Sequence, residues 1–242
     1  MNLKLLNLIM FAIMVFMNYL ANALPINGKT TGQLSAEYPN LFVPAGVTFS
    51  IWGIIYLMLL IFIVLQFFES HKPIVQSIGF AFAISCLFNA LWIVAWHYQY
   101  IAISLVIMLG LLVTLIIIGM RLQPVSMGLV KGAFGIYLGW ICIATIANVT
   151  ALLVSYKWGG WGIPPQIWAV LMISIGAIIV SITLVRLNNP FIGLAVVWAF
   201  WGIVLKQRGE HPLIVTAAIV GMVVVGAITI ILFAKGVLYS RA

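Results

Sequence analysis

Residues 44–56 read PAGVTFSIWGIIY, and they mark the point where a long loop passes into an apolar helix with an aromatic face. Phe49, Trp52 and Tyr56 follow one another at spacings of three and four residues. Because an α-helix turns by about 100° per residue, the three rings lie on one side of the helix. An aromatic belt at the membrane surface is the alternative interpretation, and Phe49 fits it. Trp52 and Tyr56 lie progressively deeper, so the stretch predicts one wall of an inward-facing pocket.

The composition places the whole chain in a membrane. Of its 242 residues, 65% are apolar and 6% are charged, whereas soluble domains carry about 25% charged residues. A helix needs about 20 apolar residues to cross the hydrocarbon core of a bilayer. Eight runs approach this length, which predicts an all-α, polytopic membrane helical bundle of about eight transmembrane helices. The runs cover residues 3–24, 46–68, 77–96, 101–120, 129–154, 166–185, 190–206 and 212–235.

The net charge of +8 does not indicate a nucleic-acid-binding surface, because the eleven basic residues are spread among short loops and helix ends. With eight spans, both termini lie on one side of the membrane together with seven of these basic residues, and four lie on the other side. Basic residues favour the cytoplasmic side of a membrane. We therefore expect cytoplasmic N- and C-termini, an outward-facing first loop and no nucleic-acid partner.

The first apolar run has two interpretations. Lys4, the apolar run and Ala21-Asn22-Ala23 together resemble a signal peptide with an A-x-A cleavage site, and cleavage would leave seven spans. The run is slightly long for the core of a signal peptide. This length favours a retained helix, in which Asn18 and Asn22 lie one turn apart and face the bundle.

The connection that follows, residues 25–45, is the longest in the chain. Its prolines and glycines break regular structure, while Tyr38, Leu41 and Phe42 are able to dock on the membrane or over a pocket. A small lid and a solvated linker are both compatible with this composition.

The third span carries a second polar and aromatic face. An asparagine near the middle of a span avoids lipid and needs a hydrogen-bonding partner, so contact with another helix and contact with a ligand are both open for Asn89. His97 follows at the end of the span, and the absence of a second candidate ligand nearby in sequence disfavours metal or haem ligation. The face lies within about 60° of the helix circumference and comprises Ser85, Asn89, Trp92 and Trp96.

The fifth span has two opposed faces. Small residues repeated at helical spacing let another helix approach closely, so the glycine face predicts a packing seam within the chain or between chains. The opposite face is then left for the interior of the bundle. The interior face comprises Tyr137, Trp140, Ala144 and Asn148, and the small-residue face comprises Gly128, Gly132, Gly135, Gly139 and Cys142.

Catalytic and metal-binding groups are scarce in the predicted spans. Glu37, Glu69 and Glu210 all fall in loops, which disfavours ion-coupled transport through intramembrane carboxylates. Cys86 and Cys142 show no metal-ligand spacing and no disulfide framework. The chain also shows no serine-histidine-aspartate arrangement, phosphate loop or zinc-protease helix. We therefore predict no metal site and no required cofactor.

The remaining candidate site is a pocket of aromatic and amide side chains in the membrane. Aromatic faces supply a large contact area and amides orient polar edges, a combination that suits a flat or polycyclic apolar ligand. The predicted ligand-binding residues are Phe49, Trp52, Tyr56, Asn89, Trp92, Tyr137, Trp140 and Asn148.

Three of these patterns resemble motifs of the TspO/MBR family, the tryptophan-rich sensory or translocator proteins. They fall in the second, third and fifth helices, the order in which the family carries them. The motifs are the W-x-x-x-Y pattern from Trp52 to Tyr56 after a proline, the FNALW run at residues 88–92, and Tyr137, Trp140 and Asn148 in a Y-x-x-W pattern followed by an asparagine.

The resemblance implies a TspO-like five-helix core at residues 1–156 and a three-helix C-terminal membrane extension at residues 157–242. It also implies a pocket beneath the first loop for porphyrin, haem or another tetrapyrrole, or for a sterol-like ligand, often in a homodimer. Trp52 and Trp140 match a pair linked in bacterial relatives to light-dependent porphyrin breakdown. Separately, Val237, Tyr239 and Arg241 form a short pattern associated with sterol contact.

These observations predict an integral, multi-pass protein of the bacterial cell membrane. Its expected function is that of a receptor or carrier for a tetrapyrrole or other polycyclic apolar ligand, with the bilayer, this ligand and a second copy of the chain as partners. One alternative is a light-dependent porphyrin-degrading enzyme that uses Trp52 and Trp140. The other is a small-solute transporter whose last three helices complete a translocation path.

Overall fold

The protein is an all-α bundle, as the apolar runs predict. The computed structural model describes residues 2–24 and 26–239, with side chains described as far as residue 236, so the Val237, Tyr239 and Arg241 pattern lies outside the described side chains. The helices are α1 Leu3–Ala23, α2 Thr31–Ala36, α3 Ile51–Leu65, α4 Lys72–Ile78, α5 Ala81–His97, α6 Ile101–Arg121, α7 Leu129–Ser155, α8 Pro165–Arg186, α9 Phe191–Gln207 and α10 Pro212–Tyr239.

Each of the eight predicted apolar runs is helical. Among the described residues, six helical segments are long and apolar enough to cross a membrane: α1, α3 with the turn before it, α6, α7, α8 and α10. Together α4 and α5 form a seventh candidate, bent by 62° at the break between them. At 17 residues, α9 is shorter than the length of about 20 that a perpendicular span needs. The chain is therefore a multi-pass membrane protein.

Contacts at the two ends of the bundle define an up-and-down path. We call the end that contains residues 26–45 the lid end. There the Gln207 side chain at the end of α9 donates to the Leu41 carbonyl at 3.0 Å. At the opposite end, the Gln123 side chain after α6 donates to the Arg186 carbonyl at the end of α8, also at 3.0 Å. Successive segments thus run in alternating directions.

The predicted span at residues 77–96 is broken near its start. Gly79 adopts a φ of 57°, in the left-handed region that glycine enters without a steric penalty, and α4 ends there. The Arg121 guanidinium donates to the Ile78 carbonyl at 2.7 Å and satisfies a group that the break leaves without an intrahelical donor. The break explains why this span has two helical parts.

The glycine face of α7 packs against the start of α9 in the same chain. A Cβ atom added at Gly135 would lie 2.8 Å from the Cβ of Phe191, and one added at Gly139 would overlap the Ile192 carbonyl oxygen. Gly128 has no neighbour within 4 Å of such an atom and takes no part. The predicted packing seam therefore lies within the chain, and it joins the two regions that the sequence divides near residue 156.

The same helix, α9, also packs against the entry to α3. Its Trp198 indole donates to the Thr48 carbonyl at 2.9 Å, and the Gly202 carbonyl accepts from the Ala45 amide at 3.0 Å. A side chain at Gly202 would overlap the Thr48 methyl group. The last three helices thus help to position the stretch from which the aromatic face begins.

Helix α1 packs into the bundle against α3 and α5. Asn18 is 8% exposed, and its side chain donates to the Asn89 carbonyl oxygen at 2.7 Å. Asn7 donates to the Gln66 side chain at 3.2 Å, near the end opposite the lid. Asn18 therefore faces the bundle, as the interpretation of a retained helix predicts. Asn22, one turn further on, donates to the Asn18 carbonyl instead.

Candidate functional site

The aromatic faces of α3 and α7 meet inside the helical bundle. Trp52 stacks on Tyr56 with ring centroids 5.5 Å apart. Trp52 also meets Tyr137 and Trp140 edge-on, with ring centroids 5.9 Å and 6.2 Å apart. Phe49 meets Trp140 edge-on at 5.8 Å. Such pairs contribute about 0.5–1.5 kcal/mol each beyond the burial of their surface. We call these five residues the aromatic cluster.

A chain of hydrogen bonds ties this cluster to α1 and α5. The Asn89 side chain accepts from Asn18 at 2.7 Å and donates to the Tyr137 hydroxyl at 2.8 Å. Asn89 is 1% exposed, so both ends of its amide are occupied by protein groups. Of the two interpretations that the sequence leaves open, helix–helix contact is the one that the geometry shows.

A second buried network joins α5, α6 and α7. The Trp92 indole donates to the Asn148 carbonyl oxygen at 2.9 Å, and the Asn148 amide donates to the Ser104 hydroxyl at 3.1 Å. Trp96 stacks on Trp92 with ring centroids 5.5 Å apart. The network fixes the orientation of two rings and one amide at the lid end of the bundle.

A cavity of about 50 Å³ lies between these helices and the lid-end loop. We call it the aromatic cavity. Five of the eight predicted site residues line it, and their side chains come from α5, α7 and the α3 region. These residues are Phe49, Trp52, Trp92, Trp140 and Asn148.

The other three predicted residues, Tyr56, Asn89 and Tyr137, do not line the cavity. Tyr56 and Tyr137 pack on Trp52, and Asn89 is bonded to Tyr137. The structure thus brings all eight residues into one connected group, in which these three support the lining. Their role in ligand binding stays a prediction.

Two buried polar atoms in the aromatic cluster lack a hydrogen-bond partner within the described part of the chain. They are the indole nitrogen of Trp140 and the hydroxyl of Tyr56. Trp140 is 3% exposed, and an unsatisfied buried donor costs about 1–3 kcal/mol. The cluster therefore holds two unsatisfied donors, and of their two residues only Trp140 lines the aromatic cavity.

Residues 26–45 form a folded lid over the aromatic cavity. Leu34 and Phe42 are each 1% exposed, so the lid has its own apolar anchors in the bundle. Thr30 and Gln33 form a reciprocal capping box at the start of α2. Of the two interpretations of the first loop, the structure supports the lid and not the solvated linker.

His97 fastens one side of the lid. Its Nδ1 lies 3.1 Å from the Ile26 carbonyl oxygen, so that nitrogen carries the proton and donates. Its Nε2 then accepts from the Thr31 hydroxyl at 3.1 Å, and the His97 carbonyl accepts from the Asn27 side chain. His97 is fully buried and both ring nitrogens are engaged. It acts as a structural latch.

The surface of the lid is polar and paired. Lys29 and Glu37 form an ion pair, and Gln99 donates to the second oxygen of Glu37 at 3.1 Å. Tyr38 packs on Trp96 with ring centroids 5.8 Å apart. Burial raises the pKa of the Tyr38 hydroxyl above its ordinary value, and the neighbouring Glu37 charge adds to this. Tyr38 therefore stays protonated at neutral pH.

The lid residues that line the aromatic cavity were not predicted from the sequence. Thr31, Ser35, Asn40, Val43 and Pro44 line the aromatic cavity but stand outside the periodic helical faces. The Pro39-Asn40 pair was an available signal, since both residue types favour turns. The Asn40 side chain accepts from the amides of Phe42 and Val43 and so shapes the lid where it meets the cavity.

A protein-family model described as "TSPO-like protein" matches residues 4–231. The match runs beyond residue 156 through α8, α9 and most of α10. It therefore includes helices that the resemblance assigns to a separate C-terminal extension. No curated protein and no solved structure gives a significant match.

Proposed function

The chain belongs to the TSPO-like protein family, and we propose that it is a membrane receptor or carrier that binds a polycyclic apolar ligand in the aromatic cavity. We take tetrapyrroles as the favoured ligand class. The observation that carries the proposal is that Trp140, which lines a cavity with other aromatic rings, holds a buried indole nitrogen without a hydrogen-bond partner in the described part of the chain.

The chemistry of the lining suits this class. Phe49, Trp52 and Trp92 offer ring faces and edges to a flat conjugated molecule, and Trp140 offers a hydrogen-bond donor. A donor already buried without a partner has paid its desolvation cost, so a ligand acceptor that reaches it gains most of a hydrogen bond. No metal ligand or catalytic side chain is needed for such binding.

The cavity has to enlarge to accept the ligand. Its volume of about 50 Å³ exceeds the share of one water molecule, about 30 Å³, but sites for drug-sized ligands measure about 300–1,000 Å³. Phe49 and Trp52 are only partly buried, whereas Trp140 is 3% exposed. We propose that the Phe49 and Trp52 rings and the lid move on binding while Trp140 stays in place.

Titration of the purified protein in lipid nanodiscs with the dimethyl ester of protoporphyrin IX, which carries no carboxylate, tests the proposal. We expect saturable binding, followed through the porphyrin absorption band in the dark, so that photochemical breakdown does not contribute. Trp140→Phe removes the indole donor and keeps a smaller aromatic ring, Trp52→Ala removes a ring, and each should weaken binding about tenfold. Trp161→Ala is the matched control, because Trp161 is 80% exposed and lies outside the cavity.

Two results would overturn the proposal in different ways. Saturable binding with unchanged affinity in both Trp52→Ala and Trp140→Phe would place the ligand elsewhere. Absence of saturable binding relative to empty nanodiscs would remove the tetrapyrrole class.

Transport and orientation are further parts of the proposal. We propose cytoplasmic termini, as the distribution of basic residues indicates, which places the lid outside the cell. Counterflow of porphyrin across proteoliposome membranes distinguishes a carrier from a receptor, since a receptor retains its ligand without moving it.

A further inference from the structure

A second space, much larger than the aromatic cavity, lies at the lid end of the bundle. Its volume is about 840 Å³, within the range of small-molecule sites. We call it the large chamber. Its wall comes from both halves of the chain: lid residues 35–43 and the end of α7 on one side, and residues 158–172 with the end of α9 on the other.

The body of the large chamber is apolar and aromatic. Trp158 and Trp168 meet edge-on with ring centroids 4.9 Å apart, and the Trp168 indole donates to the Gly160 carbonyl at 3.0 Å. Leu153 of α7 and Met172 of α8 add aliphatic surface to the wall. Since the Trp168 donor is already satisfied, these rings offer apolar faces, and they suit the hydrophobic part of a ligand.

The polar part of the wall is concentrated at the end of α9 and the turn after it. Lys206 lines the chamber, and none of the carboxylates that the structure describes lies within 4 Å of its amine. Glu210 and His211 also line this rim, so the charge there is mixed, with Glu210 opposing an anion. The long Lys206 side chain is suited to run along an apolar wall with its charge at the end.

The large chamber is a separate compartment from the aromatic cavity. Ser35, Asn40 and Val43 line both spaces, so the lid segment forms the partition between them. The buried Gln207 side chain holds this partition from the α9 side through its bond to the Leu41 carbonyl. A ligand in the large chamber does not have to displace the aromatic cluster.

We propose that the large chamber is a binding site for an amphipathic carboxylate. The apolar body of the ligand packs against Trp158 and Trp168, and its carboxylate pairs with Lys206. A charge-assisted bond of this kind is stronger than a neutral hydrogen bond. Because Lys206 is exposed, added salt weakens the pair. This site is independent of the aromatic cavity and requires the last three helices.

Binding of 1-pyrenebutyrate to the full-length protein in zwitterionic nanodiscs tests the proposal, with empty nanodiscs as the blank. We expect saturable binding by pyrene fluorescence, about tenfold weaker in Lys206→Gln and close to wild type in Lys206→Arg. The methyl ester should bind about tenfold more weakly than the acid and should not respond to Lys206→Gln. Glu210→Gln should strengthen binding of the acid.

The matched control is Arg208→Gln, which removes an exposed cation two residues away that does not line the chamber. It should leave the affinity unchanged, and equal unfolding temperatures for Arg208→Gln and Lys206→Gln would exclude a folding defect. Oleate serves as a competitor. Displacement of the probe by oleate that depends on Lys206 shows that acyl-chain carboxylates from the membrane also enter, whereas failure to compete restricts the class to polycyclic carboxylates.

Equal affinity for the acid and the ester, or equal affinity of wild type and Lys206→Gln for the acid, would overturn the proposal. Absence of saturable pyrenebutyrate binding would also overturn it. Trp140→Phe separates this outcome from a failure of the proposed function, since it should lower binding of the protoporphyrin ester and leave pyrenebutyrate binding unchanged.

Discussion

The aromatic cavity and the large chamber lie on two sides of the same lid segment, but different kinds of structure form them. The aromatic cavity, of about 50 Å³, is closed by rings that pack on one another, and its lining comes from residues 31–151. The large chamber, of about 840 Å³, is framed by loops and helix ends from both halves of the chain. Binding as proposed would displace rings in the first space and fill existing volume in the second.

The lid that separates the two spaces is attached to the bundle independently on each side. His97 of α5 holds residues 26–31, on the side of the first five spans. Gln207 of α9 holds Leu41, on the side of the last three helices. The two spaces can therefore be perturbed one at a time, and substitutions at three places test how separate they are.

The largest effect is expected from Gly139→Leu at the seam between α7 and α9. Any side chain there overlaps the Ile192 carbonyl oxygen, so the helices have to separate. Overpacking of this kind costs about 1–3 kcal/mol or more, and the unfolding temperature in detergent should fall steeply. Because the seam joins the halves, pyrenebutyrate binding should be lost along with stability.

Gly53→Leu is the matched control for this substitution. A Cβ at Gly53 meets nothing within 4 Å, and the residue lies on the exposed side of α3. Similar unfolding temperatures for the two variants would show that the halves are not energetically coupled through α9.

A smaller and more local effect is expected from Gln207→Leu. The substitution leaves the Leu41 carbonyl without its donor, which costs about 1–3 kcal/mol. Hydrogen exchange followed by mass spectrometry should show amides of residues 38–45 exchanging about tenfold faster. Peptides covering residues 26–31 should be unchanged, because His97 holds them.

Arg208→Gln provides the reference exchange rate at a neighbouring exposed position. If exchange rises equally at both sides of the lid in Gln207→Leu, the lid opens as one body and the separation of the two spaces fails.

The smallest effect is expected from a pair of hydroxyl deletions in the aromatic cluster. Tyr137→Phe removes the acceptor of the Asn89 side chain and should lower the free energy of unfolding by about 1 kcal/mol. Tyr56→Phe removes a hydroxyl that has no partner in the described chain, so stability should stay the same or rise. Thermal unfolding of the two variants beside wild type measures both. The opposite order would show that the Tyr56 hydroxyl is satisfied in the membrane.

Helical periodicity was sufficient to predict the bundle and the faces that converge at its centre. Spacing places Trp52, Trp140 and Asn89 on shared helical faces, and a mid-span amide such as that of Asn89 has few positions available outside the bundle. Periodicity does not give distances between helices. It therefore did not show that the rings close the cavity, nor that the Asn89 amide bonds to Asn18 through its oxygen and to Tyr137 through its nitrogen.

The features that sequence reasoning did not predict depend on contacts between distant residues. Gln207 and Leu41 are 166 residues apart, and no local pattern marks either as a partner of the other. The large chamber likewise exists only where the lid, α7, α8 and α9 meet. The break at Gly79 was not predicted either, but it has a local signal in the sequence, since a glycine within an apolar run lowers the expectation of a continuous helix.

The seam at Gly132, Gly135 and Gly139 also determines how far the chain can be shortened without changing its surface. A polypeptide that stops at residue 156 would keep every residue of the aromatic cluster, yet it would present to lipid a slot that α9 occupies in the intact protein. Acyl chains fill such a slot less well than a helix does, and a neighbouring polypeptide that presents a suitable helix would enter it. Shortening the chain would thus change which molecules it assembles with, even if the pocket itself survived.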